Sequence, residues 1–258
     1  MERVLLYLQY IMITRDYNSL LEHRIFKRTF LQQTEVILNF APAIDAVSFR
    51  NKMLPYLKSV FNLDISDKVD AGANHAEVSS EQEQKKFVFD LNQVKLIIGP
   101  RCYKSFAETA APMISLLIQF IRDVAQVEIV EQIKIVKVNI WPIKSENAFL
   151  SFADMISYTF REDCISDMLS YKFGDSPEPV KLSKTSNIEK DGDNLNVILS
   201  AEVISKEKVN LGLVLDASTK DVNINDIFFK ITVLNDLIYQ GFISSISENI
   251  VNFMSKEN

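Results

Sequence analysis

The sequence predicts an α+β fold, with an antiparallel sheet and helices in separate stretches of the chain. Three observations support this prediction. Residues 195–203 and 209–215 alternate apolar and polar side chains, as strands with one buried face do. Longer segments repeat apolar residues at helical spacing. Only 6 glycines and 7 prolines occur in 258 residues, which leaves little of the chain for long irregular loops.

The first predicted strand, at residues 34–40, is followed by a helix. Asp45 is the predicted N-cap of that helix, and Pro55 predicts a kink or a break within it. Residues 62–85 are polar and acidic without an apolar period, so we predict a loop there. The alternation then changes phase at residues 90–93, as it does at the turn of a hairpin.

A long helix is predicted after Gly99, with Ser105 and Glu108 at the spacing of a capping box. The strand that follows, at residues 130–141, changes phase after Ile135, which indicates a β-bulge. The order strand, helix, hairpin, helix, strand predicts a ferredoxin-like N-terminal half, with two helices on one face of the sheet.

The C-terminal half is predicted to be an antiparallel meander packed on a long terminal helix. Strands are predicted at residues 165–171 and 180–184, before the clear hairpin. The last helix begins near Asn225, and its apolar stripe continues to Phe253. Gly241 lies on or near that stripe, where a neighbour can approach closely. The predicted parts are an N-terminal extension at residues 1–30, a ferredoxin-like domain at residues 31–143, and an α+β domain with the long C-terminal helix at residues 144–258.

The composition predicts a cytoplasmic protein that binds neither nucleic acid nor a membrane. The chain is 47% hydrophobic and 24% charged, with a net charge of −6 and no dense run of Lys or Arg to neutralise phosphates. Cys102 and Cys164 are far apart and lack metal-ligand spacing, which is typical of a reduced compartment. We predict no metal and no cofactor.

One corner of the sequence has some features of an anion site. Gly99, Arg101 and Lys104 lie where a predicted strand turns into a helix, and the N–H groups of a helix start attract anions. A phosphate-binding loop needs several glycines, however, and Pro100 removes a donor. The alternative interpretation is therefore a surface corner with two cationic side chains.

Few residues are available for catalysis, and we predict no catalytic residue. His23 and His75 are the only histidines, and neither lies in a cluster with cysteine. A nucleophilic pair of Cys102 or Cys164 with a histidine stays open, because such partners meet in space rather than in sequence. A packed, unreactive cysteine is the more common outcome.

The terminal helix carries apolar residues outside its main stripe. Among them, Phe229, Tyr239 and Ile243 are the predicted partner-binding residues, because burial on a second side needs a second neighbour. The leading hypothesis is a non-enzymatic protein-binding module that contacts a protein partner or forms a homo-oligomer, as an immunity, antitoxin or chaperone-like protein. The alternative is an enzyme or binding protein for a small anionic ligand at the corner around Arg101.

Several short segments occur in an order that resembles a known family. They are residues 34–36, the corner at residues 98–99 with Tyr103 and Phe106, residues 139–140, and LNDLIYQGFISSI at residues 234–246. In that order they resemble a sporadically distributed family of uncharacterised bacterial proteins of similar length, over most of residues 31–254. The resemblance implies a bacterial cytoplasmic protein and assigns no catalytic residue. Asn235 stands where the family has a histidine, so a role of that histidine does not carry over.

Overall fold

A nine-stranded antiparallel sheet is the centre of the fold in the computed structural model, which describes residues 26, 28–60, 67–72, 74–80, 82, 84–144, 152–169, 181–205 and 208–256. The strands are β1 (Leu31–Asn39), β2 (Asp67–Ala71), β3 (His75–Ser80), β4 (Lys85–Asp90), β5 (Gln93–Ile98), β6 (Ile129–Lys144), β7 (Lys181–Lys190), β8 (Asp193–Ser205) and β9 (Lys208–Asn223). Their order across the sheet is β2-β3-β4-β5-β1-β6-β9-β8-β7. The predicted mixture of helices and antiparallel strands is confirmed.

The helices of the described chain pack on one face of this sheet. They are α1 (Ala46–Val60), α2 (Ala111–Phe120) with π-helical turns at Phe106–Ala110 and Ile121–Ala125, α3 (Phe152–Thr159), α4 (Glu162–Leu169), α5 (Ile227–Ser245) after a 3₁₀ turn at Ile224–Asp226, and α6 (Glu248–Ser255). Rings join the helices to the strands beneath them, for example Phe120 to Phe89 and Phe242 to Trp141. None of the described helices is long and apolar enough to cross a bilayer.

The two faces of the sheet differ in composition because alternate residues of each strand point to opposite sides. The helix-covered face is mostly apolar, and one cross-strand row of it consists of Val78, Phe87, Leu96, Val36, Ile135, Ala217 and Leu195, all buried. The next row, on the other face, consists of Ser79, Lys86, Ile97, Glu35, Val136, Asp216 and Asn196, all half-exposed. The second face is therefore the solvent side of the described sheet.

Local sequence signals were reliable where neighbours in the chain make the contact. The Ser48 amide donates to Asp45 Oδ1 at 2.8 Å, and the Glu108 amide donates to Ser105 Oγ at 3.1 Å, so both predicted caps are confirmed. The predicted hairpin turn is present between β4 and β5. Helix α1 continues through Pro55, so the predicted break is wrong, and the alternative of a kink stays a prediction.

Two predicted elements have the wrong type. The predicted loop at residues 62–85 contains β2 and β3, which are held by backbone pairing to each other and to β4 although their side chains are mostly polar. The predicted strand at residues 165–171 is helix α4 as far as Leu169, the last described residue there. Glu162 and Asp163 lie in its first turn, where acidic side chains stabilise a helix.

The terminal helix is two helices rather than one. Its apolar stripe continues without interruption, but Ile246 has extended backbone angles and ends α5. The Ser247 hydroxyl then accepts from the Ile250 amide at 3.3 Å and begins α6. The N-cap at Ser247 thus begins a new helix although the helical spacing of apolar residues continues through it.

The predicted bulge in β6 is also wrong. The pairing of β6 with β1 and with β9 has no register shift at Ile135. The shift that the β1–β6 ladder does contain lies between Leu31 and Gln33 of β1, opposite Asn139 and Val138. The phase of the apolar pattern changes there because Lys137 occupies an inward position, opposite Thr34 and Leu215. This inward lysine is central to the candidate site.

The sheet continues across the predicted domain boundary at residue 143, since β6 lies between β1 and β9. The division into residues 31–143 and 144–258 stays a prediction. Most of the predicted extension at residues 1–30, including His23, lies outside the described residues. Within it, the described Phe30 packs its ring against Trp141 at 5.6 Å between centroids.

Candidate functional site

The candidate site is formed around the side chain of Lys137, half-buried between the sheet and its helices. Lys137 Nζ donates to Tyr103 Oη at 3.0 Å and to Asn235 Oδ1 at 2.8 Å. The ammonium also lies 5.2 Å from the centroid of the Tyr103 ring, within reach of a cation–π attraction. We call Tyr103, Lys137 and Asn235 the donor cluster.

Each member of the donor cluster is held by a different part of the fold. Lys137 is fixed by ladder pairing on both sides of β6, and Asn235 is 3% exposed on α5. Tyr103 lies in the turn after β5, where its amide donates to the Gly99 carbonyl at 3.2 Å. The turn is closed by Thr109, whose Oγ1 accepts from the Lys104 amide at 3.0 Å and donates to the Cys102 carbonyl at 3.4 Å.

The charge of Lys137 has no carboxylate partner among the described residues. Its hydrogen-bond acceptors are a phenol and an amide, both neutral. Lysines on the solvent face behave differently, since Lys95 pairs with Glu35 and Lys134 pairs with Asp216, each at 2.7 Å. The described partners of the Lys137 ammonium are therefore all neutral, and none of them balances its charge.

A buried hydroxyl lies beside the donor cluster. Thr34 pairs directly with Lys137 across β1 and β6 and is 1% exposed. Its Oγ1 has no hydrogen-bond partner in the described structure. Buried polar atoms are nearly always paired in folded proteins, so an unpaired one next to an uncompensated charge is unusual.

The predicted anion corner has its backbone donors already engaged. The amides of Gly99 and Arg101 donate to the carbonyl and the side chain of Gln84 at 2.7 and 3.2 Å. A Cβ at Gly99 would lie 2.7 Å from Gln84 Cβ, so this glycine permits a close approach of the chain to itself. The side chains of Arg101 and Lys104 are exposed. Anion binding at these three residues stays a prediction, and the turn also positions Tyr103.

The predicted partner-binding residues lie along α5 with different degrees of exposure. Phe229 is 42% exposed, whereas Tyr239 and Ile243 are half-buried. Ile243 packs against the core and borders an open cleft beside Arg161. Their role in partner binding stays a prediction.

The remaining described candidates for chemistry lie on different elements of the fold. His75 lies on β3 rather than in a loop, and its Nδ1 is 2.5 Å from Asp90 Oδ1 on the solvent face. Cys102 and Cys164 are half-buried, and neither forms a disulfide in the described structure. Burial, aided by the negative charge of Asp163, raises the pKa of the Cys164 thiol. Among the described residues no group of His, Cys, Asp and Glu is arranged to hold a metal ion.

Sequence reasoning missed Lys137 and Asn235. The signal was present in β6, where a lysine interrupts an alternating strand, but it was interpreted as a bulge. Asn235 had a signal only through the family resemblance, where it replaces a histidine. The spatial proximity of the two residues follows from the packing of α5 on β6.

No protein-family model that we compared with the chain matches it, and a search of curated proteins found no significant similarity.

Proposed function

We propose that the chain is a non-enzymatic protein-binding module, and that strand β7 binds a second copy of the chain. The observation that carries this proposal is the position of β7 at one end of the described sheet. Most of its ten side chains are exposed. An end strand has a row of backbone N–H and C=O groups that a further strand can pair with.

The sequence of β7 favours one self-pairing register. In an antiparallel pair, facing residues must lie on the same face of the sheet, so their numbers must both be odd or both be even. With Thr185 opposite its own copy, Lys181 faces Glu189 and Leu182 faces Ile188, each pair occurring twice by symmetry. The smallest shift that keeps the faces matched changes the pairing by two residues and removes both the Lys181–Glu189 and the Leu182–Ile188 pairs. Charge and apolar complementarity therefore favour this register.

A two-fold axis that pairs β7 in this way is perpendicular to the sheet. The two sheets then join edge to edge, and their solvent faces lie on the same side. Each solvent face carries a half-exposed apolar row of Val138, Val214 and Ile198, bordered by the Lys134–Asp216 ion pair. Apolar patches with a polar border are typical of protein contact sites. We place the client protein of an immunity, antitoxin or chaperone-like role on this joined face.

Three finer predictions are part of the same proposal. The ferredoxin-like N-terminal half is supported by the order β4-β5-β1-β6, since the hairpin β4–β5 lies beside β1 and the last strand lies on its other side. Strands β2 and β3 extend this unit at its edge. Bacterial cytoplasmic location and membership of the resembled family are supported by the sequence features given above.

Sedimentation equilibrium of the full chain tests the pairing. We expect a dimer for the unchanged protein. Glu189→Lys places two lysines opposite each other at both ends of the paired strands and is expected to give a monomer, because facing like charges destabilise a pair by about 0.2–1 kcal/mol each. The double variant Lys181→Glu/Glu189→Lys restores opposite charges and is expected to dimerise again.

Glu131→Lys is the matched control, because Glu131 is exposed on β6, away from β7. It makes the same change of charge and should leave the dimer intact. A monomer for the unchanged protein at all accessible concentrations contradicts the proposal. So does a Glu189→Lys variant that remains a dimer.

A further inference from the structure

The donor cluster has hydrogen-bond donors that no described acceptor uses. An ammonium carries three N–H groups, and two of those of Lys137 are engaged. Tyr103 and Asn235 act as acceptors toward Lys137, since an ammonium can only donate. The phenol O–H and the amide NH₂ group are therefore directed elsewhere. One ammonium N–H, one phenol O–H and the amide NH₂ remain for a ligand.

Unused donors of this kind suit an oxygen anion. The ammonium supplies the charge, and the phenol and amide supply directed hydrogen bonds to several oxygens. An anion would also provide the opposite charge that Lys137 lacks among the described residues. Thr34 adds an unpaired hydroxyl on the neighbouring strand. Lys137 and Tyr103 are half-exposed, which leaves a small molecule a way to reach them.

We infer that the donor cluster binds a small oxyanion, the carboxylate or phosphate group of a small molecule. Tyr103 comes from the turn after β5, Lys137 from β6 and Asn235 from α5, so a bound oxyanion bridges the two halves of the chain. The site differs from the predicted corner, where the backbone amides of Gly99 and Arg101 already bond Gln84. It does not depend on the pairing of β7.

Calorimetric titration of the full chain with inorganic phosphate, and separately with acetate, tests this inference. Sodium chloride at matched ionic strength is the blank. We expect saturable binding of at least one of the two anions. Lys137→Met should weaken it at least about tenfold, the loss expected when a charge-assisted hydrogen bond is removed. Tyr103→Phe should weaken it about two- to tenfold, because one neutral hydrogen bond is lost.

Lys134→Met is the matched control, because Lys134 lies on the same strand and its side chain is on the solvent face, paired with Asp216. It should keep the affinity of the unchanged protein. Phosphate binding without acetate binding assigns a phosphate-bearing ligand, and the reverse assigns a carboxylate. Both outcomes support the site.

Asn235→Asp separates binding from folding if Lys137→Met is unstable. The new carboxylate has nearly the shape of the amide and pairs with Lys137 inside the protein. The variant should fold, with a melting temperature at or above that of the unchanged protein, and should lose oxyanion binding. The inference is overturned if the unchanged protein binds neither anion up to tens of millimolar. It is equally overturned if Arg101→Ala abolishes binding while Lys137→Met and Asn235→Asp retain it.

Discussion

Gly241 of α5 lies so close to Leu195 of β8 that a Cβ on the glycine would be 2.8 Å from Leu195 Cδ2. Leu215 Cδ2 would be 3.1 Å away on the next strand. The backbone of α5 at Gly241 therefore packs directly against the side chains of two buried leucines of the sheet. The sequence placed this glycine on the apolar stripe and predicted a close neighbour, and the structure identifies that neighbour.

Gly241→Ala is expected to destabilise the protein. Alanine favours a helix by about 1 kcal/mol over glycine, but inserting a methyl group into a filled core costs about 1–3 kcal/mol. Leu195 and Leu215 are both buried, and the close packing of protein interiors leaves little room for such side chains to shift. We expect a net loss of about 1 kcal/mol in urea unfolding. Gln240→Ala, at an exposed position of the same helix, should change stability by less than about 0.5 kcal/mol.

Tyr56→Phe is expected to cost about 1 kcal/mol at pH 7, because the Tyr56 hydroxyl donates to the Leu116 carbonyl at 2.8 Å and ties α1 to α2. Burial, with a smaller effect from Asp123, raises the pKa of Tyr56 above its usual range. The unfolded chain releases this proton near pH 10 and the folded chain does not. The stabilisation is therefore complete below about pH 10 and is lost as the pH rises further.

The difference in unfolding free energy between the unchanged protein and Tyr56→Phe should accordingly shrink above about pH 10. Fluorescence of Trp141, the one tryptophan of the sequence, reports the unfolding because its side chain is buried. A difference that stays constant from pH 7 to about pH 11 would show that Tyr56 ionises equally in both states.

Valine-to-threonine substitutions should distinguish the two faces of the sheet. Val36 is fully buried under the helices, whereas Val214 is half-exposed on the other face. Val36→Thr buries a hydroxyl and should cost about 1–3 kcal/mol. Val214→Thr should cost less than about 0.5 kcal/mol, since water can reach the hydroxyl and threonine suits a strand. Equal losses of unfolding free energy for the two variants in chemical denaturation would mean that both faces of the sheet are buried.

Asp163→Asn is expected to speed up alkylation of Cys164. Burial and then the negative charge of Asp163 raise the pKa of this thiol, while the positive charge of Arg161 lowers it. Removing the carboxylate leaves the guanidinium, so the pKa falls and more reactive thiolate is present at pH 8. Iodoacetamide rates in a Cys102→Ser background measure this effect. A slower or unchanged rate of alkylation would show that the negative charge of Asp163 does not control the reactivity of the Cys164 thiol.

Contacts between neighbours in the chain were predictable. Asp45 and Ser105 were identified as caps because a side chain and the amide three residues later meet in any helix. The two alternating runs of the last hairpin were identified because apolar alternation reflects one buried face. Strands β2 and β3 were not predicted, because they are held by backbone pairing. The side-chain hydropathy pattern contains no information about backbone hydrogen bonds.

By itself, the sequence determined the strands with clear apolar alternation and the longer amphipathic helices, whereas it gave the wrong type for β2, β3 and α4. Only the tertiary structure decided that Lys137 faces inward, because the register of β6 against β1 and β9 fixes its face and a shift of one residue would reverse it. Tyr103 and Asn235 lie 34 and 98 residues from Lys137 in the chain, and sheet pairing and helix packing bring them to its ammonium. Local propensity carries no information about such long-range contacts, which depend on how the assembled core buries its apolar faces.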